Sequence, residues 1–241
     1  MLSSLELTGR ARTHVAESAQ LGATLHPEAA RALVDLKDAA LAVGIDVAVL
    51  SGYRDLGRQT AIWNAKFRGT RRLVARDGAE LDRSQLSERA LINAILAWSA
   101  LPGASRHHWG SDVDVIDRAA MPPDYRPQLV QQEFAGNGPF VKLSAWLTEH
   151  AAEFGFFRPY ASDRGGVMPE PWHLSYAALA VPALATLTLE MVAEAVGSSS
   201  MDGRELVLAQ LPELYERYVL AVDPPPIGES RRSTRGGDSG P

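Results

Sequence analysis

The chain has 241 residues, a formal charge of −5, 46% hydrophobic and 22% charged residues, and no cysteine. Such a composition buries a core, which excludes wholesale disorder, and the missing cysteine excludes disulfides, thiolate metal ligands and a cysteine nucleophile. The acidic balance argues against nucleic acid as a partner, no stretch approaches the ~18 apolar residues of a membrane span, and residues 1–10 lack the basic start and apolar core of a secretory signal.

Residues 1–24 are weakly patterned and read as an N-terminal extension. After His26-Pro27-Glu28, the residues Ala30, Leu33, Val34, Leu36 and Ala40 recur at helical spacing, and Gly44 is a plausible stop. The β-branched run Asp46–Ser51 predicts a buried strand. It ends in Gly52-Tyr53-Arg54-Asp55, where Asp55 is placed to cap a helix carrying Ile62, Trp63 and Phe67. The charged stretch 68–85 reads as a surface insertion. Leu86 to Leu101 predicts a helix, broken by Pro102-Gly103. Val113, Val115 and Ile116 favour a strand in the second half of 105–117. Residues 118–139 hold four Pro and two Gly and predict a loop. Phe140 to Phe154 predicts a helix stopped by Gly155, and Glu170 to Tyr176 a short strand flanked by turns. Leu179–Val196 and Glu205–Val222 read as two C-terminal helices. The composition of 222–241 predicts a disordered tail.

There are six histidines, and two lie in segments of unusual chemistry. His107 precedes Asp114 by seven positions, and His173 follows Glu170 by three. A zinc ion held by His107, Asp114 and His173 would have the three protein ligands of a catalytic site. Seven extended residues span about 23 Å and seven helical ones about 10.5 Å. Neither lets His107 and Asp114 share an ion, so the chain must fold back at Gly110 and Ser111. On spacing alone, a polar turn leading into a strand is the stronger account, and His173 beside Trp172 reads equally well as a packed core histidine. The clustering of Asp112, Asp114 and Asp117 shifts the balance, because crowded carboxylates are costly unless a cation or donors compensate. His14, His26 and His150 read as structural or surface residues.

Three motifs occur in order: Ser51-Gly-Tyr-Arg54 with Gln59, Ser105-x-His107-x-x-Gly110-x-x-x-Asp114, and Glu170-Pro-Trp-His173-x-x-Tyr176. Together they resemble the zinc D-alanyl-D-alanine carboxypeptidases of the vancomycin-resistance type, which share a metal site with lysostaphin-type endopeptidases and hedgehog signalling domains. Trp146-Leu-x-x-His150-Ala-x-x-Phe154-Gly155-Phe156 is similar to the family's helix before the last motif. The likeness covers roughly residues 28–176.

The resemblance implies an α+β fold, with a small antiparallel sheet around a central zinc site and flanking helices, to which the sequence pattern adds the C-terminal helices. It implies His107, Asp114 and His173 as zinc ligands, Glu170 as catalytic base and Arg54 as the group that stabilises the carbonyl oxygen turning tetrahedral. Gln59 and Ser105 match positions near the substrate. The implied activity is hydrolysis of D-alanyl-D-alanine-type bonds in peptidoglycan peptides, and that substrate class suggests the periplasm or cell envelope. L-alanyl-D-glutamate endopeptidase, D,D-dipeptidase and non-catalytic wall-peptide binding are the alternatives. The expected organisation is an extension over 1–24, a zinc peptidase domain over 25–180, a helical annex over 181–221 and the tail. Three features depart from the family pattern. Asp112 stands where a small residue is usual, on the same strand face as Asp114. The segment 68–90 is longer than expected. The C-terminal helices have no counterpart.

Overall fold

The computed structural model describes residues 1–226, so most of the predicted tail lies outside the described residues. A short N-terminal helix α1 (Ser4–Leu7) is closed by a capping box between Ser3 and Glu6. A hairpin follows, β1 (Ala16–Ser18) with β2 (Ala23–Leu25). Helix α2 (Pro27–Leu41) starts on His26, whose ring accepts the Glu28 N–H, and carries proline in its first turn. Strand β3 (Val47–Ser51) leads to α3 (Leu56–Phe67), capped as expected by Asp55, whose carboxylate accepts the Arg58 N–H at 2.7 Å.

The main sheet completes itself from distant segments. Its remaining strands are β4 (Asp112–Asp117), β5 (Phe156–Phe157) and β6 (His173–Tyr176), ordered β3-β4-β6-β5 with every pair antiparallel. Helix α4 (Glu88–Leu96) precedes β4, and α5 (Val141–His150) runs into a 3-10 turn that ends at Gly155 with φ +79°.

Apolar side chains form two cores. Val113, Val115 and Leu174 of the sheet pack with Leu33 and Leu36 of α2 and with Leu143 and Leu147 of α5. A second core joins Leu7 of α1, Trp63 and Phe67 of α3, Ile92 and Ile95 of α4, and the C-terminal helices through Val192, Val207 and Leu214. Those C-terminal helices are shorter than the sequence predicts. The first splits into α6 (Ala177–Thr186) and α7 (Leu189–Ser198), bent by 84°, because Thr188 caps the second half by accepting the Met191 N–H. The other splits into α8 (Arg204–Ala209) and α9 (Leu211–Tyr215), with Pro212 in the first turn of α9, followed by one π-helical turn over Glu216–Leu220. The expected helix over 86–101 shrinks to α4, since Ser87 caps it late and it has ended by Ala97. Among the described residues no single helix is long and apolar enough to cross a membrane.

The stretch 68–85 is not wholly superficial. Leu73 is buried in the helical core, Val74 bridges Glu80, and the Trp98 indole donates to the Ala75 carbonyl at 3.0 Å. This packing holds the segment beside a cleft in front of the sheet.

Candidate active site

Strand register places the central groups side by side. Asp114 pairs across β4–β6 with His173 and across β3–β4 with Ser51, so three strands present one polar row. A second row, two residues along, pairs Asp112 with Ser175. Alternation along β4 sends Val113 and Val115 into the sheet core and the aspartates to the other face.

His107 reaches this row by the fold-back its spacing demands. Arg106–Trp109 form one 3-10 turn, and Gly110 then takes φ +67°. A Cβ at Gly110 would come within 2.5 Å of Val15 and 2.8 Å of the His26 nitrogen, so glycine is required there. One ligand-type atom from each of His107, Asp114 and His173 lies within 4.8 Å of the others, and all three residues are buried. Each ring is fixed from behind. His107 Nδ1 donates to the Gly52 carbonyl at 2.8 Å, which leaves Nε2 facing the cluster. His173 Nε2 lies 3.0 Å from Asp112 Oδ1, which leaves Nδ1 on the Asp114 side at 3.1 Å.

The extra carboxylate noted in the sequence therefore does not join the ligand cluster. Asp112 is fully buried, accepts from Arg106 Nε at 2.8 Å and from Ser111 Oγ, and grips the far nitrogen of His173. Arg106 also donates to Ser175 and lies 4.8 Å over the Trp109 ring. His108 points elsewhere. Its Nδ1 donates to the Arg54 carbonyl at 2.6 Å while Nε2 accepts the Gly103 N–H, so it anchors the turn carrying Arg54.

Arg54 faces the cluster directly. Its guanidinium donates to Asp114 Oδ2 at 2.8 Å and to Ser51 Oγ at 2.7 Å. Gln59 is fully buried behind it, accepting from Arg54 at 3.3 Å and donating to the Ala100 carbonyl. Gln59 is absent from the cleft lining, whereas Ser105 lines it with a buried hydroxyl that has no hydrogen-bond partner. Glu170 lies in the turn before β6, 3.5 Å from His173 Nδ1. Trp172 is buried against Phe134, with ring centroids 5.5 Å apart, and also lines the cleft.

The electrostatics separate the carboxyls. Burial pushes Glu170 up to about 7, helped by Asp114 and opposed by His173. Burial also pushes Asp114 upward, but contacts with His107 and His173 outweigh it and hold the group well below the usual carboxylate range. Burial, then the Arg54 charge, lower His107.

Tyr160, Lys66 and Arg106 are not identifiable as site residues from the sequence motifs. Tyr160 places its ring 5.1 Å from His173 and lines the cleft with Lys66. The position of Arg106 inside Ser105-x-His107 is the one local signal, and it becomes meaningful only once Asp112 is known to need a buried partner.

Comparison with known proteins shows what the chain as a whole is similar to. The family model described as VanY, D-alanyl-D-alanine carboxypeptidase, matches residues 22–179. An uncharacterised protein of Haemophilus influenzae is 31% identical over 122 residues, covering 50% of this chain and 93% of its own length. A D-alanyl-D-alanine carboxypeptidase of Enterococcus faecalis is 33% identical over 147 residues, covering 60% of this chain and 45% of its own. The crystal structure of a vancomycin-resistance D,D-pentapeptidase VanY point mutant in complex with Zn(II) superposes with a TM-score of 0.50 at 26% identity, covering 75% of this chain and 89% of that one.

Proposed function

The chain belongs to the VanY D-alanyl-D-alanine carboxypeptidase family, and from that premise we propose that it is a zinc-dependent carboxypeptidase that removes the terminal D-alanine from peptidoglycan peptides. The observation that carries this reading is the convergence of His107, Asp114 and His173 within 4.8 Å, with Glu170 beside them.

The residues fit zinc. Two imidazole nitrogens and one carboxylate are the donor set of a catalytic site. Hydrogen bonds from behind leave Nε2 of His107 and Nδ1 of His173 directed at the cluster. Those two atoms and an Asp114 oxygen would hold the metal, and Asp112 and the Gly52 carbonyl would orient its imidazoles. When bound, zinc supplies Lewis acidity for the scissile carbonyl and acidifies a neighbouring water.

Glu170 takes the proton of the attacking water on a carboxylate oxygen and returns it to the leaving amine nitrogen. A carboxyl raised to about 7 suits both steps near neutral pH. Arg54 donates to the carbonyl oxygen as negative charge develops there, and preorganised donors of this kind often lower the barrier more than any other group in the site. Ser51 and Gln59 aim Arg54, so Gln59 acts behind the arginine rather than on the substrate. The unpartnered Ser105 hydroxyl is available to the substrate from the cleft wall. The peptidase unit is assigned to 25–180, with 1–24 and 181–221 as additions that contribute Leu7 and Val192 to the helical core.

The test is incubation with a pentapeptide ending in D-Ala-D-Ala, with and without chelator, followed by mass spectrometry. Loss of one alanine, abolished by chelator and restored by zinc, is the expected result. Loss of a dipeptide or an internal cut would assign one of the alternative peptidases. An intact peptide in the presence of bound zinc would overturn the enzymatic reading.

A further inference from the structure

The cleft in front of the site has a volume of about 1060 Å³, and its wall is basic although the chain carries a charge of −5. Arg54, Arg58, Lys66, Arg71, Arg72, Arg76 and the buried Arg106 line it. The acids on the same lining are Asp77, Asp114 and Glu170, of which two belong to the reaction centre.

Four of the cations already have partners, Arg106 among them through Asp112 at 2.8 Å. Arg54 binds Asp114, Arg72 lies 3.3 Å from Glu80, and Arg76 lies 2.6 Å from Asp163. Among the described residues, Arg58, Lys66 and Arg71 form no ion pair. The half-buried Lys66 ammonium has one polar contact, the Trp98 carbonyl at 3.5 Å. Burial, then the charges of Arg71 and Arg54, push it down to about 8, with Glu170 acting in the opposite direction. In the protein alone the charges of Lys66 and Arg71 oppose one another, and among the described residues no carboxylate forms an ion pair with either.

Two of these three lie along one helix. Arg58, Ile62 and Lys66 recur every fourth residue on α3, so they share one helix face, and all three line the cleft. Eight residues of helix advance about 12 Å. Arg71 lines the same cleft from the start of the insertion, where its N–H donates to the Ala65 carbonyl at the end of α3. A run of that length matches three or four residues of extended peptide at about 3.3 Å each. It exceeds the single residue that a carboxypeptidase releases, so it faces the part of the substrate before the scissile bond.

Resting on the carboxypeptidase reading above, we propose that Arg58, Lys66 and Arg71 form a subsite for free carboxylates on the residues upstream of the cleaved bond. The substrate class is then an anionic stem peptide, one that keeps free acids along its length, in preference to a neutral or amidated one. The upstream side chains and the peptide's own terminal carboxylate offer the same chemistry, and the test separates them.

Four peptides ending in D-Ala-D-Ala are compared: upstream carboxylates free or amidated, each with the C-terminus free or amidated. Wild-type kcat/KM should favour the free upstream acids by about tenfold, with the preference shrinking as salt screens these cations. In Lys66→Gln/Arg71→Gln that ratio should fall to near one. A preference that follows only the C-terminal carboxylate, or a ratio that survives in the double variant, would overturn the subsite. If no peptide is cleaved, the carboxypeptidase reading fails instead, and fluorescence-anisotropy binding of the labelled peptides decides the subsite. There too the acidic peptide should bind about tenfold tighter to wild type and lose that margin in the variant. Equal binding of acidic and amidated peptides would refute it.

Discussion

On the sheet side of the molecule, polar groups go inside: Asp112, Asp114, Arg106 and His173 are 0%, 3%, 4% and 2% exposed. On the helical side the buried positions are overwhelmingly apolar, as at Ile95 and Val192, both 0% exposed. The contrast shows how one chain divides its labour. An apolar core accepts repacking at modest cost, whereas a buried ionic network tolerates the loss of no partner. A candidate metal site needs fixed donors, and on the sheet strand register and buried hydrogen bonds define each ring. The helices add bulk and carry one wall of the cleft.

This division can be broken in order of expected effect. Glu170→Gln should keep the metal and lower kcat by about 10²- to 10⁴-fold, the usual contribution of a general base. Metal analysis beside steady-state kinetics checks it, and near-normal turnover would remove Glu170 from its role. Ile95→Ala should cost about 2–5 kcal/mol of stability in denaturant titration while leaving metal affinity at the wild-type value. A large change in metal affinity would show that the two cores are not separable.

Asp112→Asn keeps the shape of the side chain but weakens the grip on His173 and Arg106. Zinc affinity, measured by competition with a chromophoric chelator, should fall about 10- to 100-fold. Unchanged affinity would reduce Asp112 to a partner of Arg106 alone. The smallest effect is expected at the edge of the helical core. Hydrogen bonds from Thr13 and then from Ser3 hold Glu6 at about 2 instead of 4.5, with burial opposing. A carboxyl depressed on folding stabilises the native state above its ordinary pKa, and that contribution is lost as pH falls from about 5 towards 2. Glu6→Gln should therefore cost about 1 kcal/mol at neutral pH and flatten stability across that acid range. An equal slope in both proteins would contradict the assignment.

Much of the candidate site's placement is legible in the sequence, because its residues sit in short motifs with strict local geometry. Asp55 caps α3 within four residues of Arg54, Gly110 supplies the turn between His107 and Asp114, and alternation in β4 sets two aspartates on one face. The roles proposed for them come from the family resemblance. The helix lengths at the C-terminus are not legible, since the apolar periodicity runs on through Leu187 and Thr188 while a local cap divides it.

By itself, then, the amino-acid order determined which groups could ligate and where the chain had to reverse, since both follow from side-chain chemistry and a few bonds of backbone. Only the tertiary structure decided what Asp112 does, where Gln59 stands, and that Lys66 and Arg71 face the same cleft as Glu170. Those outcomes depend on partners 61 residues away for Asp112 and on a helix that lines the cleft in front of the sheet. No local rule brings such groups together; register and packing do.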